Sequence, residues 1–180
     1  MRSLALLLLT VPAWSQAPLK TAAAVNPTPA KAVVQRQAMT DLEERLNGKM
    51  QMVGGRDPVM MRGFTRGIYL PGFGAVLTAE VSLVATPVLS PFNQVITDQQ
   101  KAQVLVRKTA QLPVLKQAMR EMWLDATSAL TSVPQDEQIV LAVRLVYQPW
   151  EDTSNLPSQI IVKGTRKSAL TGNVLVEEER

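Results

Sequence analysis

Between Thr97 and Leu130 an apolar side chain returns every three or four residues, through Ala102, Leu105, Thr109, Leu112, Leu115, Met119, Met122, Ala126 and Leu130. That period belongs to an α-helix with one apolar face. A helix of this length extends roughly 50 Å, at 1.5 Å per residue, and can bury its stripe only against a broad apolar surface. Pro113 falls inside the stretch without shifting its phase. A single long helix kinked near Pro113 is therefore expected, rather than two unrelated helices. Thr97-Asp98 suits its start and Ser132-Val133-Pro134 its end.

Four extended runs offer the partner surface, at residues 60–70, 75–84, 138–148 and 158–167. In the second, Ala75, Leu77, Ala79, Val81 and Leu83 alternate with Val76, Thr78, Glu80 and Ser82. In the third, Ile139, Leu141, Val143, Leu145 and Tyr147 alternate with Val140, Ala142, Arg144, Val146 and Gln148. Alternation of this kind predicts strands with one packed face and one wetter face. Pro71-Gly72-Phe73-Gly74 supplies a tight reversal between the first two strands, and a polar connection at 149–157 separates the last two. Gly164 is a candidate bulge, and Val174-Leu175-Val176 a short additional edge.

Upstream, Met39, Leu42, Leu46, Met50 and Val53 mark a shorter amphipathic helix that ends at Gly54-Gly55. Its start is expected at Pro29 or at Thr40, where Thr40 to Glu43 has a capping-box pattern. The expected fold is α+β. An antiparallel four-stranded sheet, two β-hairpins in ββ-α-ββ order, packs on one long kinked helix, with an additional N-terminal helix.

The first residues read differently. Arg2 precedes an apolar run at 4–11, Pro12 breaks it, and Ser15-Gln16-Ala17 offers small residues for cleavage. This is the layout of a secretory signal peptide over residues 1–17, too short to span a bilayer at roughly 20 residues. Residues 18–38, rich in Ala and Pro, read as a flexible linker. One α+β domain is expected at 39–176, with 177–180 as a frayed tail. The expected location is the periplasm or the extracellular space, with no transmembrane segment in the mature chain.

Among the 180 residues there is neither Cys nor His. That removes disulfides, thiol nucleophiles, Ser-His-Asp and Cys-His systems, and metal sites built from thiolate or imidazole. No cofactor and no metal site is expected. The net charge of +4 is a mild excess spread along the chain, unlike the clustered footprint of a nucleic-acid binder. Phe64 and Tyr69 on a strand admit stacking on RNA bases, but the export leader argues against it.

Catalytic candidates are carboxylates. Glu80 sits in mid-strand, where Arg144 offers a cross-strand partner, and Glu151 and Asp152 follow Trp150 in a loop. A glycan hydrolase would need two of them about 5–10 Å apart across a cleft. Each also has a plain structural role available, as a surface ion pair or a solvated loop. Tyr69, Phe73, Arg144 and Trp150 are the candidate binding residues, at the glycine-rich turn, on the third strand and in the loop. The text from Arg66 to Gly74 lacks the spacing of a phosphate-binding loop and reads as a hairpin turn. Methionines follow the core faces, which favours packing over soft-metal binding. The functional expectation is an exported, non-enzymatic envelope protein that binds another envelope protein. A carboxylate-based glycan hydrolase, or a small-ligand or lipid carrier with its cavity between helix and sheet, are the alternatives.

Overall fold

The computed structural model describes residues 34, 36–87, 89, 95–169, 171 and 173–179. The expected signal peptide and the proposed helix start at Pro29 lie outside the described residues, as does most of the linker. Helix α1 spans Arg36–Met52, so Arg36 to Ala38 belong to the domain rather than to the linker. Thr40 is not its cap. Thr40 lies inside the helix, and its hydroxyl donates to the Arg36 carbonyl at 3.1 Å. The buried side of α1 carries Met39, Leu42, Glu43, Leu46 and Met50, the apolar period with one carboxylate set into it.

Strands β1 (Met60–Leu70) and β2 (Gly74–Ser82) form the expected antiparallel hairpin. Phe73 N–H donates to the Leu70 carbonyl at 3.0 Å across Pro71-Gly72, with Gly72 at φ 86°. Proline followed by a positive-φ glycine is the type II arrangement. The chain then enters α2 (Asp98–Ala129), 32 residues long and continuous through Pro113. Thr97 caps it reciprocally: its hydroxyl accepts from Gln100 N–H, and the Gln100 side chain accepts from Thr97 N–H.

The stripe on α2 is displaced from the expected one in the first half. Val104, Lys108 and Gln111 are buried there, followed by Leu115, Met119, Met122, Trp123 and Ala126. Ala102 and Thr109 are exposed. Through Val104, Lys108, Gln111, Leu115, Met119, Met122 and Ala126 the spacing holds at three or four, with Trp123 beside Met122. A reading by hydrophobicity misses it because two of its members are polar, each with a partner beneath the helix.

Strands β3 (Gln138–Leu145) and β4 (Gln159–Thr165) form the second hairpin. A short turn of helix, α3 (Arg166–Ala169), occupies residues expected to end the fourth strand. Strand β5 (Leu175–Glu179) then pairs with β4, so Glu177 to Glu179 are strand and not tail. The sheet has five strands in the order β1-β2-β3-β4-β5. It is mixed, which corrects the expectation of four antiparallel strands. The β2–β3 pair is parallel, with Ala75 opposite Ile139 and Glu80 opposite Arg144. The cause is α2. A crossover helix carries the chain back along the sheet, so the strand after it starts at the same end as the strand before it.

One face of the sheet is covered by α1 and α2. Ala75, Leu77, Ala79, Val81, Ile139, Leu141, Val143, Ile160 and Val162 pack there with Leu115, Met119 and Met122 in a single buried core. Trp123 lies in it, and its indole N–H donates to the Ile139 carbonyl at 2.7 Å. Gly164 is paired in regular register with Ile139 and is no bulge. A Cβ there would lie 2.9 Å from the Trp123 ring, so the glycine makes room for the indole. The irregularities fall instead in β1, between Met61 and Gly63 and between Gly63 and Arg66. Among the described residues, no helix is long and apolar enough to cross a membrane.

Candidate functional site

The second face of the sheet has no helix over it among the described residues, and the strand registers show what it presents. Ile68 stands opposite Val76, Val76 opposite Val140, Val140 opposite Lys163, and Lys163 opposite Leu175. This row crosses all five strands and is apolar except at Lys163. The adjacent row runs Arg66, Thr78, Ala142, Ile161, Glu177, from a cation at one edge to an anion at the other. A third row holds Gly63, Glu80, Arg144, Gln159 and Glu179. Ile68 is 56% exposed, Leu175 53% and Phe64 63%. Large apolar side chains gathered on one uncovered face mark an interaction surface more often than scattered single ones do.

Glu80 and Arg144 meet on this open face at 3.4 Å, both well exposed. With Phe64, Arg66 and Gln159 they line a shallow depression of about 370 Å³. Screening by water leaves such a pair little energy, so its effect is to set local polarity.

The loop carboxylates go elsewhere. Glu151 is buried under α2, where it pairs with Lys108; their side chains are 3% and 0% exposed. Asp152 is in water, its carboxylate accepting from Ser154 N–H at 3.0 Å and from the Ser154 hydroxyl at 2.6 Å. Those bonds hold the Asp152 carboxyl below its ordinary value. Glu80 therefore lies on the open face and Glu151 on the helix-covered side. The structure does not bring them together across a cleft.

Of the other expected site residues, Tyr69 turns toward the covered side, and its hydroxyl donates to Glu137 at 2.9 Å. The other Glu137 oxygen accepts from Gly72 N–H at 3.0 Å, so this carboxylate ties the turn to the start of β3. Burial, then the bond and charge of Glu137, raise the Tyr69 pKa. Phe73 projects from the turn, 47% exposed. Trp150 packs partly against the core, with its indole nitrogen buried. Tyr69 and Trp150 thus lie against the core, whereas Arg144 belongs to the open face.

Two features escaped the sequence reading. Glu43 of α1 and its neighbours close the outer edge of β1. Glu43 accepts from Gly67 N–H at 2.9 Å, Asn47 accepts from Thr65 N–H at 2.7 Å, and Arg36 donates to the Gly67 carbonyl at 3.1 Å. Arg36 and Arg66 flank the Glu43 carboxylate at 3.2 and 3.6 Å. The second feature is Lys108. In both cases the available signal was a charged residue occupying a stripe position, Glu43 four after Met39 and Lys108 four after Val104.

A groove of about 710 Å³ lies between the end of α1 and α2, lined by Met52, Val53, Pro113, Val114 and Met122 with Lys49 at its rim. It is a cleft between helices, not the helix–sheet cavity expected of a carrier. Comparison of the chain with protein-family models, curated proteins and solved structures returns no match.

Proposed function

We propose that this protein is exported and acts in the envelope as a non-enzymatic interaction or scaffold domain that binds through the open face of its sheet. The observation that carries this reading is the apolar cross-strand row Ile68, Val76, Val140 and, beyond Lys163, Leu175, which no helix covers among the described residues, in a domain whose other face is packed. The leader-like residues at 1–17 support the location. The separation of Glu80 from Glu151 supports binding over glycan hydrolysis.

Photo-crosslinking tests it. A benzoylphenylalanine placed at Val76 or Ile161, on the open face, is expected to trap protein in the producing cell's envelope. The same group at Val106, exposed on α2, serves as the control. Adducts at Val106 with none at the two sheet positions overturn the reading.

A further inference from the structure

We infer that the partner of the open face is a second copy of this chain, related by a two-fold axis that runs along β3 in the plane of the interface. The inference rests on the open face being the interaction surface, as proposed above. It names the partner from the order of charges across the strands.

An axis along β3 lays β1 of one copy over β5 of the other and leaves β3 over itself. The row Arg66, Thr78, Ala142, Ile161, Glu177 then meets its own reverse. Arg66 faces Glu177 of the second copy, Thr78 faces Ile161, and Ala142 meets Ala142, where two methyl groups allow close approach. In the apolar row, Ile68 covers Leu175, Val140 meets Val140, and Val76 faces the stem of Lys163, whose ammonium stays with Glu177. A two-fold axis across the strands fares worse on charge: set through the middle row, it puts Arg66 against Arg66 and Glu177 against Glu177. Isologous pairing of one patch with itself is the commonest form of oligomer.

The charged groups on the face are accounted for. Arg66 has its side chain 73% exposed and a 3.6 Å contact to Glu43. Glu177 holds Lys163 at 2.8 Å, and both remain about two-fifths exposed. Arg144 lies on the axis and meets its equivalent, but each Arg144 keeps its own Glu80 at 3.4 Å, and Glu80 faces Gln159 of the second copy. Glu179 faces Gly63, which has no side chain of its own, with exposed Phe64 beside it.

The alternative of edge-to-edge growth is blocked on one side. The outer N–H of Gly67 and the N–H of Thr65 are taken by Glu43 and Asn47, so β1 cannot accept a strand there. One patch pairs with itself about the axis, so the pairing closes at two copies, with the facing sheets about 10 Å apart. Five strands about 4.8 Å apart and roughly seven residues long give a flat patch near 450 Å² per copy, about 900 Å² in total, the size of weak and transient interfaces.

Sedimentation of the purified full chain between about 10 and 300 µM tests this directly. A monomer–dimer equilibrium is expected. Arg66→Glu and Glu177→Arg should each weaken it about tenfold or more, and the double exchange should restore it to within about threefold. Val140→Arg places two further cations on the axis, each beside Lys163 rather than a carboxylate, and should abolish the dimer. Thermal melts of each variant at low concentration separate lost pairing from lost folding, and rescue by the double exchange is not expected of a merely structural effect. A chain monomeric over the whole range overturns the inference, as does a dimer indifferent to Val140→Arg. If the chain is monomeric while Val76 still crosslinks to another protein, the self-pairing fails and the interaction face stands.

Discussion

The ammonium of Lys108, on α2, and the carboxylate of Glu151, in the β3–β4 connection, form an ion pair withdrawn from water. Gln148 N–H donates to the same carboxylate at 3.1 Å, and the Lys108 nitrogen sits 4.6 Å from the centre of the Tyr147 ring. Desolvation lowers the Lys108 pKa despite the bond and charge of Glu151, and the charge of Arg62 adds to the lowering. Taking both charges out of water costs about as much as their attraction returns, so the intact pair adds little net stability. Removing one partner strands the other. Lys108→Met should destabilise the fold by about 3–5 kcal/mol, while Lys108→Met with Glu151→Leu should cost far less or nothing. Urea denaturation of the single and double variants checks this, and equal losses in both would refute the account.

Tyr147 predicts the alkaline behaviour. Burial, then the charge of Glu151, pushes its hydroxyl well above the ordinary value of 10.0. A group whose folded pKa is raised contributes stability fully below its unfolded pKa and loses it as the pH rises toward the folded value. The protein should therefore lose stability from this group above pH of about 10. Tyr147→Phe removes the titration together with the 2.6 Å bond to the Pro157 carbonyl. It should cost about 1 kcal/mol at neutral pH. The difference from wild type should then shrink above pH of about 10, measured by urea melts across the alkaline range. A constant difference would show that Tyr147 does not titrate differently in the fold.

The two turn glycines should respond unequally. Gly72 has φ 86° with open space around it, whereas Gly74 has φ 133° and a Cβ there would lie 1.8 Å from the Gln138 carbonyl oxygen. Gly72→Ala carries only backbone strain, about 1 kcal/mol. Gly74→Ala also forces β2 away from β3 at the first parallel pair, which should cost on the order of 3 kcal/mol. Thermal denaturation ranks the two, and the reverse order would contradict the close approach of the strands.

At the edge of β1, Thr65 lies within a bulge and outside the paired register with β2, so its N–H depends on Asn47. Asn47→Ala leaves that N–H without its partner. The expected cost is about 1–3 kcal/mol, with faster hydrogen exchange at Thr65 than at Leu77 on the covered strand. Unchanged exchange at Thr65 would show that Asn47 does not hold the edge.

Much of the fold was legible in the chain. The strand alternations of Ala75 to Val81 and Ile139 to Leu145, the turn at Pro71-Gly72 and the cap at Thr97 depend on residues within a few positions of one another. Backbone conformation and side-chain period are local properties, and the structure carries them as expected. Glu80 and Arg144 were each legible as residues of the wetter strand face for the same reason.

What only the tertiary structure decided were the relations between distant residues. The parallel pairing of β2 with β3 depends on how α2 crosses the sheet, which no strand encodes by itself. The burial of Lys108 and Glu43 depends on partners brought from far along the chain, since a charge leaves water only where another group compensates it. The sequence determined that the sheet has an apolar side and a mixed side; packing decided that both helices cover the first and leave Ile68, Val140 and Leu175 on the second.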